Sequence, residues 1–343
     1  MKTSDFYYDL PQRLIAQTPA QPRDAARMMV IHRLSGRRED KIFRELPDFL
    51  RPGDVMVINQ TKVIPARLLG EKEDTHVPVE ILLLKRRNQD EWETLVRPGR
   101  RLKKGALVSF GEGLLRAEIG DTTDAGGRIV RFLYNGVFEE LLDRLGEMPL
   151  PPYIHEKLAD PSQYQTVYAK QEGSAAAPTA GLHFTPKVLS RVREKGVEIV
   201  PVLLHVGLGT FRPVKVEDVS QHVMHSEYYE VTPEAAEKIN AARAAGGRVV
   251  CIGTTSVRTL ETVADDNGIV HPGMGNTSIF ITPGVKLKAT DVLLTNFHLP
   301  ESTLLMLISA LMGREQALDA YREAVEKEYR FFSFGDCMLI LDD

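Results

Sequence analysis

With 343 residues, 43% of them hydrophobic, 26% charged and 7% aromatic, the chain has the composition of an ordinary soluble protein, long enough for roughly two domains, and excludes the repeat, low-complexity and fibrous classes. A net charge of -4 excludes an indiscriminate nucleic-acid binder, so any RNA contact has to come from a local basic patch. Two distant cysteines in apolar contexts, Cys251 and Cys337, exclude a disulfide framework and metal-ligand spacing; the N-terminal stretch has no leader-type apolar run, no apolar run is long enough to cross a bilayer, and a reducing cytoplasmic setting is expected.

In chain order, Met28–His32 and Asp54–Asn59 read as buried strands, the second preceded by the turn Arg51-Pro-Gly-Asp54. The polar segment Asn59–Arg67 either lines a site or caps that strand. From about Ala66 to Gly146 the texture changes to short β-type runs with glycine-bearing turns: 79–84, 92–96, 106–110, 114–119 and 128–134. This pattern predicts a small antiparallel barrel. Its basic residues, above all Arg97, Arg100, Arg101, Lys103 and Lys104, make a phosphate-backbone contact or a solvated turn. Phe138–Leu145 reads as a helix.

Beyond residue 148 strands alternate with helices, which predicts an α/β fold with a mostly parallel sheet. Strands are expected over 197–205, 248–253, 277–282, 291–295 and 335–341, and helices over 187–195, 231–245, 301–312 and around Ala317–Val325. The discontinuous α/β domain is therefore assigned to 1–62 and 148–343, with the barrel inserted as 63–147. Several strands end in polar, glycine-containing segments, and ligands of open α/β sheets bind beyond the carboxyl ends of strands. His205, Thr254, Thr255, Ser256, Asn296 and His298 are expected to share one cleft, joined by His183.

The small-residue run Gly173–Thr185 is unlike a core strand. Its glycines, 173 and 181, allow unusual backbone angles or close approach, and Thr185-Pro186 reads as a helix start. His183 and Phe184 either face a ligand or pack inward. No phosphate-binding glycine loop, dinucleotide fingerprint, nucleophile elbow or zinc motif is present. His222, His225 and Glu227 form a weak metal candidate, because two histidines three apart on a strand point to opposite faces.

The segments Arg51–Asn59, Val63–Arg67, Gly146–Ile154, Tyr164–Tyr168, Gly173–Thr185, His205–Pro213, Gly253–Arg258 and Thr295–Pro300 together resemble the S-adenosylmethionine:tRNA ribosyltransferase-isomerases of queuosine biosynthesis, nearly end to end. Ala175, where a larger aliphatic is usual, and Lys62, where arginine is usual, are minor departures. The resemblance implies an α/β domain with an inserted β-barrel. It also implies transfer and isomerisation of the ribosyl part of S-adenosylmethionine onto 7-aminomethyl-7-deazaguanine at the tRNA wobble position, giving epoxyqueuosine-tRNA, adenine and methionine. S-adenosylmethionine is then a consumed substrate, and no further cofactor and no metal is implied.

On that resemblance His183, His205 and His298 are the acid/base candidates, and Glu227 or Glu301 the partner of the sulfonium. Gly173, Ser174, Thr179, Gly181, Thr254, Thr255, Ser256, Arg258 and Asn296 are expected to cradle the substrate, and Phe184 and Phe297 to stack a base or fill the core. Arg67, Arg97, Arg100, Arg101, Lys103 and Lys104 are expected to contact tRNA. No membrane partner is expected, and the protein is expected to be a monomer. Two rivals from other classes are a non-catalytic RNA-binding module, which has no use for a histidine-bearing cleft, and a metal-dependent hydrolase built on His222, His225 and Glu227.

Overall fold

The computed structural model describes residues 1–343 apart from 124, 125, 157, 159, 208–213 and 215. Two compact units emerge: Met1–Thr61, Pro152–Gln171 and Ala177–Asp343 form the first, and Lys62–Pro151 with Glu172–Ala176 the second.

The first unit is built on a nine-stranded sheet, ordered Gly273–Thr277, Glu227–Val231, Glu198–Leu204, Val55–Asn59, Val249–Ile252, Val292–Asn296, Cys337–Leu341, Arg27–His32, Arg38–Ile42. Its centre is four parallel strands, with Val57 opposite Val200 on one side and Cys251 on the other. Both flanks are antiparallel, apart from the parallel pair Arg27–His32 and Cys337–Leu341, so the sheet is mixed where a mostly parallel one was expected. The central strands read as unbroken apolar runs because both faces are covered. Val55, Val57, Val249, Cys251 and Leu293 point into one core, shared with the helices Pro233–Ala244, Gly253–Val263, Thr303–Met312 and Arg314–Glu326. Their neighbours Met56, Ile58, Val250, Ile252 and Leu294 point into the other, against Phe43, Leu46 and the helix Pro186–Glu194.

The helix starts follow sequence chemistry. Thr185 Oγ1 accepts from the Val188 amide, Thr232 from Ala235 and Ser302 from Leu305, and a proline follows each threonine at the first helical position. Two boundaries differ from expectation. The edge strand is Gly273–Thr277, not 277–282: it pairs antiparallel with Glu227–Val231, and Thr277 Oγ1 then takes the Ile279 amide and turns the chain away. Pairing therefore overrides the stronger β-propensity of the Ile279-Phe280-Ile281 run. Glu301 is not in a helix; it adopts φ 58° ahead of the Ser302 cap, and its amide donates to Phe6 O at 3.0 Å.

The second unit is a closed six-stranded antiparallel barrel, Arg67–Lys72, Pro78–Arg86, Glu91–Arg97, Arg128–Tyr134, Leu115–Thr122 and Leu107–Phe110, with the last strand pairing back onto the first. Alternation is plain in Leu115–Thr122, where Leu115, Ala117 and Ile119 are buried and Arg116 and Glu118 face solvent. The helix Phe138–Leu145 has its expected bounds and sets Phe138 against Trp92 and Phe132.

Candidate active site

The four parallel strands end at Asn59, Leu204, Ile252 and Asn296, and the segments leaving those ends build the site. Asn59 closes the ends of two of them: its Nδ2 donates to Leu204 O at 2.9 Å, and its Oδ1 accepts from the amides of Leu204 and Thr61, each at 3.1 Å. Bonded through both its oxygen and its nitrogen and fully buried, that side chain is a strand lock. Beside it, Thr61 Oγ1 lies 2.8 Å from His205 Nδ1, and the His205 ring stacks on Tyr228.

Beyond these strand ends a cleft opens. The segment 177–180 forms one wall, and Gly253, Thr254 and Thr255 form a second with Val206 beside them. Thr295, Asn296, Phe297, His298, Leu299, Ser302 and Leu304 form a third, and Tyr153, Phe332 and Ser333 the remainder. Among the described residues no ionised side chain lines it.

Gly253 has φ +82°, a left-handed conformation that a side chain disfavours, and it turns the strand Val249–Ile252 directly into the helix Gly253–Val263. The residue at the capping position is Ile252, whose side chain accepts nothing, so the amides of the first turn carry no side-chain cap. Ser256 Oγ bonds back to Ile252 O at 2.8 Å and Thr259 Oγ1 to Thr255 O at 2.9 Å, but Thr255 Oγ1 is buried without a partner among the described residues.

His298 is sealed in. Its Nε2 shares a hydrogen bond of 2.9 Å with Thr295 Oγ1, its amide reaches Tyr321 Oη, and its carbonyl accepts from Tyr8 Oη. Burial pushes its pKa down to about 3. His183 stands behind the third wall, 3.4 Å from Asn296 Nδ2, and burial with the nearby Arg330 and Arg23 charges lowers it to about 4. Burial also lowers His205, the least enclosed of the three. All three imidazoles are therefore neutral at pH 7.

The other residues expected at the site separate clearly. Thr179, Thr254, Thr255, Asn296, Phe297 and His298 line the cleft. Gly181 does not use a left-handed angle; it is a point of close approach, since a Cβ there would lie 2.0 Å from Tyr168 Oη. Phe184 is fully buried against Phe43 and Tyr168, and the Phe297 ring against Tyr321, Tyr329 and Phe331, so both rings are core and neither has a face open to a base. Glu227 and Arg258, expected separately, form one buried ion pair, and Glu227 Oε1 also accepts from the Gly207 amide at 2.9 Å. Neither Glu227 nor Glu301 is among the described residues that line the cleft, and His205 is not either, although its neighbour Val206 is. Of the segment His205–Pro213, residues 208–213 lie outside the described residues.

Gly173, at φ +137°, and Ser174, whose Oγ donates to Ala176 O at 2.7 Å, belong to the barrel unit. There Arg97, Arg100, Arg101, Lys103 and Lys104 are all exposed, Lys104 in an ion pair with Asp121, while Arg67 is half-buried beside Glu80. Among the described residues no three His, Cys, Asp or Glu side chains converge as a metal site.

The family model described as "Queuosine biosynthesis protein" matches residues 3–340. The chain belongs to the queuosine biosynthesis protein family. Relatives named S-adenosylmethionine:tRNA ribosyltransferase-isomerase from Symbiobacterium thermophilum and Moorella thermoacetica are each 63% identical to it, over 99% of this chain and 100% of theirs. A crystal structure of S-adenosylmethionine tRNA ribosyltransferase from Thermotoga maritima is 40% identical, covers 98% of this chain and 100% of its own, and superposes with a TM-score of 0.58.

In this member of the queuosine biosynthesis family, sequence reasoning passed over one wall of the cleft. Tyr153 stacks on Phe332 with ring centroids 4.4 Å apart, its hydroxyl bonds Ser333 Oγ, and Phe332 takes φ +71°. The signal in the sequence was the aromatic run Phe331-Phe332-Ser333-Phe334-Gly335, too dense in rings for an ordinary loop and placed directly before a strand.

Proposed function

We propose that this chain transfers the ribosyl part of S-adenosylmethionine to the aminomethyl group of 7-aminomethyl-7-deazaguanine at the wobble position of tRNA and isomerises it, giving epoxyqueuosine-tRNA with release of adenine and methionine. The observation that carries this reading is the 63% identity, over 99% of the chain, to relatives bearing that enzyme name. A cleft at the carboxyl ends of parallel strands suits it.

The chemistry asks for a base at the 5′ carbon next to the sulfonium, a proton for the departing adenine, and a neutral substrate amine. Closing the epoxide expels methionine as an uncharged thioether. His205 is the proton acceptor of choice: it is the least enclosed of the three candidate histidines and is neutral, and Thr61 at Nδ1 orients the ring, with Val206 next to it lining the cleft. His183 and His298, held neutral by burial, position Asn296 and Thr295 and carry no charge themselves. Tyr153 and Phe332 offer the flat apolar wall that Phe184 and Phe297 do not. The exposed Arg97, Arg100, Arg101 and Lys103 supply cations for the anticodon phosphates. The setting is cytoplasmic and the working form a monomer; both cysteines are free and buried, and no helix among the described residues is long and apolar enough to cross a membrane.

The test is incubation of the protein with S-adenosylmethionine and an anticodon stem-loop carrying the aminomethyl-deazaguanine, with and without EDTA, following adenine and RNA mass. RNA-dependent adenine release with a ribosyl-sized mass gain, resistant to EDTA, is the expected result. RNA binding without either signal refutes the catalytic reading, and loss of activity in EDTA refutes the metal-free one. His205→Gln is expected to lower kcat by about a hundredfold or more while leaving RNA affinity unchanged.

A further inference from the structure

We propose that the cleft has a defined amino-acid pole, at which the α-carboxylate of the S-adenosylmethionine methionyl group sits on the start of the helix Gly253–Val263 and its α-ammonium on Asn296 Oδ1. This inference rests on the functional reading above and fixes which way round the substrate lies.

Two independent observations meet at this pole. The 11-residue helix opens on the cleft with Ile252 at its capping position, so among the described residues the first-turn amides at Thr254 and Thr255 have no side-chain acceptor and the buried Thr255 Oγ1 has no partner. Asn296, 2% exposed, lines the same cleft, and its Oδ1 is buried without a partner among the described residues. Its orientation is fixed: Nδ2 donates to Phe332 O at 3.0 Å and faces His183 Nε2 at 3.4 Å, and a flipped amide would set oxygen against the Phe332 carbonyl. A buried amide oxygen whose lone pairs accept no hydrogen bond demands a donor, and leaving that bond unmade is costly.

Uncapped amides ask for an anion and the orphaned oxygen asks for a donor. An α-amino acid group presents both, a carboxylate and an ammonium on one carbon. The partial positive charge of the helix start sets the polarity, since it attracts the carboxylate and repels the sulfonium, which is thereby kept toward the far side of the cleft. The alternative assignment, adenine at this pole, leaves the helix amides facing a ring with no anion to offer.

The test measures equilibrium binding and RNA-dependent adenine release for S-adenosylmethionine, its deaminated analogue and its decarboxylated analogue. Full-length wild type, Asn296→Leu and Thr255→Val are compared, each checked for a cooperative melt. Wild type is expected to prefer S-adenosylmethionine over both analogues. Asn296→Leu is expected to weaken S-adenosylmethionine about ten- to a hundredfold while leaving the deaminated analogue within about threefold. Thr255→Val, which keeps the side-chain shape and so carries the test if Asn296→Leu fails to fold, is expected to weaken S-adenosylmethionine but not the decarboxylated analogue. Equal losses for the substrate and its matching analogue overturn the pole, as does an absence of loss. Binding with the expected discrimination but no adenine release supports the pole and refutes the transferase reading; wild-type protein that binds none of the three compounds overturns both.

Discussion

Replacing Arg258 by methionine tests whether the Glu227–Arg258 pair is a structural brace between the helix Gly253–Val263 and the backbone at Gly207. The two side chains, arginine and glutamate, are 4% and 3% exposed, and Glu227 holds the Gly207 amide with its other oxygen. Methionine keeps the stem volume of the arginine and removes its charge, leaving Glu227 buried without the Arg258 cation. Breaking a buried pair from one side costs about 3–5 kcal/mol. For a unit of about 250 residues the unfolding entropy near the midpoint is about 0.5 kcal/mol per kelvin, so the α/β transition should fall by about 6–10 °C. The double variant Glu227→Leu/Arg258→Met removes both charges and should recover most of that loss, since an apolar replacement of both partners is often close to neutral. Thermal unfolding of the two single variants and the double variant, followed by circular dichroism, gives the coupling directly. A drop of under about 2 °C for Arg258→Met, or a double variant whose loss is the sum of the singles, refutes the brace.

Gly181→Ala sets a Cβ 2.0 Å from Tyr168 Oη and 2.8 Å from Thr166 Cγ2, and should cost about 1–3 kcal/mol; adding Tyr168→Phe should recover part of it, as read by denaturant unfolding, and no recovery would show that the clash lies elsewhere. The pKa values of His183 and His298, lowered to about 4 and about 3, make the unfolded chain the stronger proton binder below its ordinary histidine pKa of about 6.5. Stability is thus fully present above that value and is lost as pH falls toward 4, by up to about 1.4 kcal/mol per pH unit for each group; His298→Gln should flatten the curve by one group, and an unchanged slope would refute its neutral burial. Alanine at Arg100, Arg101 and Lys103 should weaken stem-loop binding and reduce the salt slope by about 2, whereas Lys104→Ala should do less because Asp121 already holds that cation at 2.7 Å. A salt slope unchanged in the triple variant removes the barrel loop from the RNA interface.

The elements were legible where one force decided them. Threonine and proline at 185–186 and 232–233 announce helix starts through hydrogen bonds that any chain makes locally, and both helices begin at those prolines. The apolar runs at 55–58 and 249–252 announce strands covered on both faces. The edge strand Gly273–Thr277 was not legible, because it exists through its partner Glu227–Val231 and contains two glycines. At the cleft, segment positions could be read and side-chain directions could not. Phe297 and His298 lie just beyond the same strand, yet the ring of one enters the aromatic core and the other meets Thr295. The positive φ of Phe332 and the pairing of Glu227 with Arg258 are tertiary outcomes without a local signal.

The strand Arg27–His32 has two neighbours, the hairpin partner Arg38–Ile42 and the far downstream strand in which Cys337 faces Met28. During synthesis the early hairpin therefore emerges with one edge bare and waits for nearly the whole chain before that edge is covered. The central strands can pair sooner, since Val55–Asn59 meets Glu198–Leu204 and Val249–Ile252. In the sheet Cys337–Leu341 lies between Val292–Asn296 and Arg27–His32 and so joins the early hairpin to the central strands. Until that edge is covered, the apolar run Met28 to Ile31 offers an unpaired strand edge to other chains.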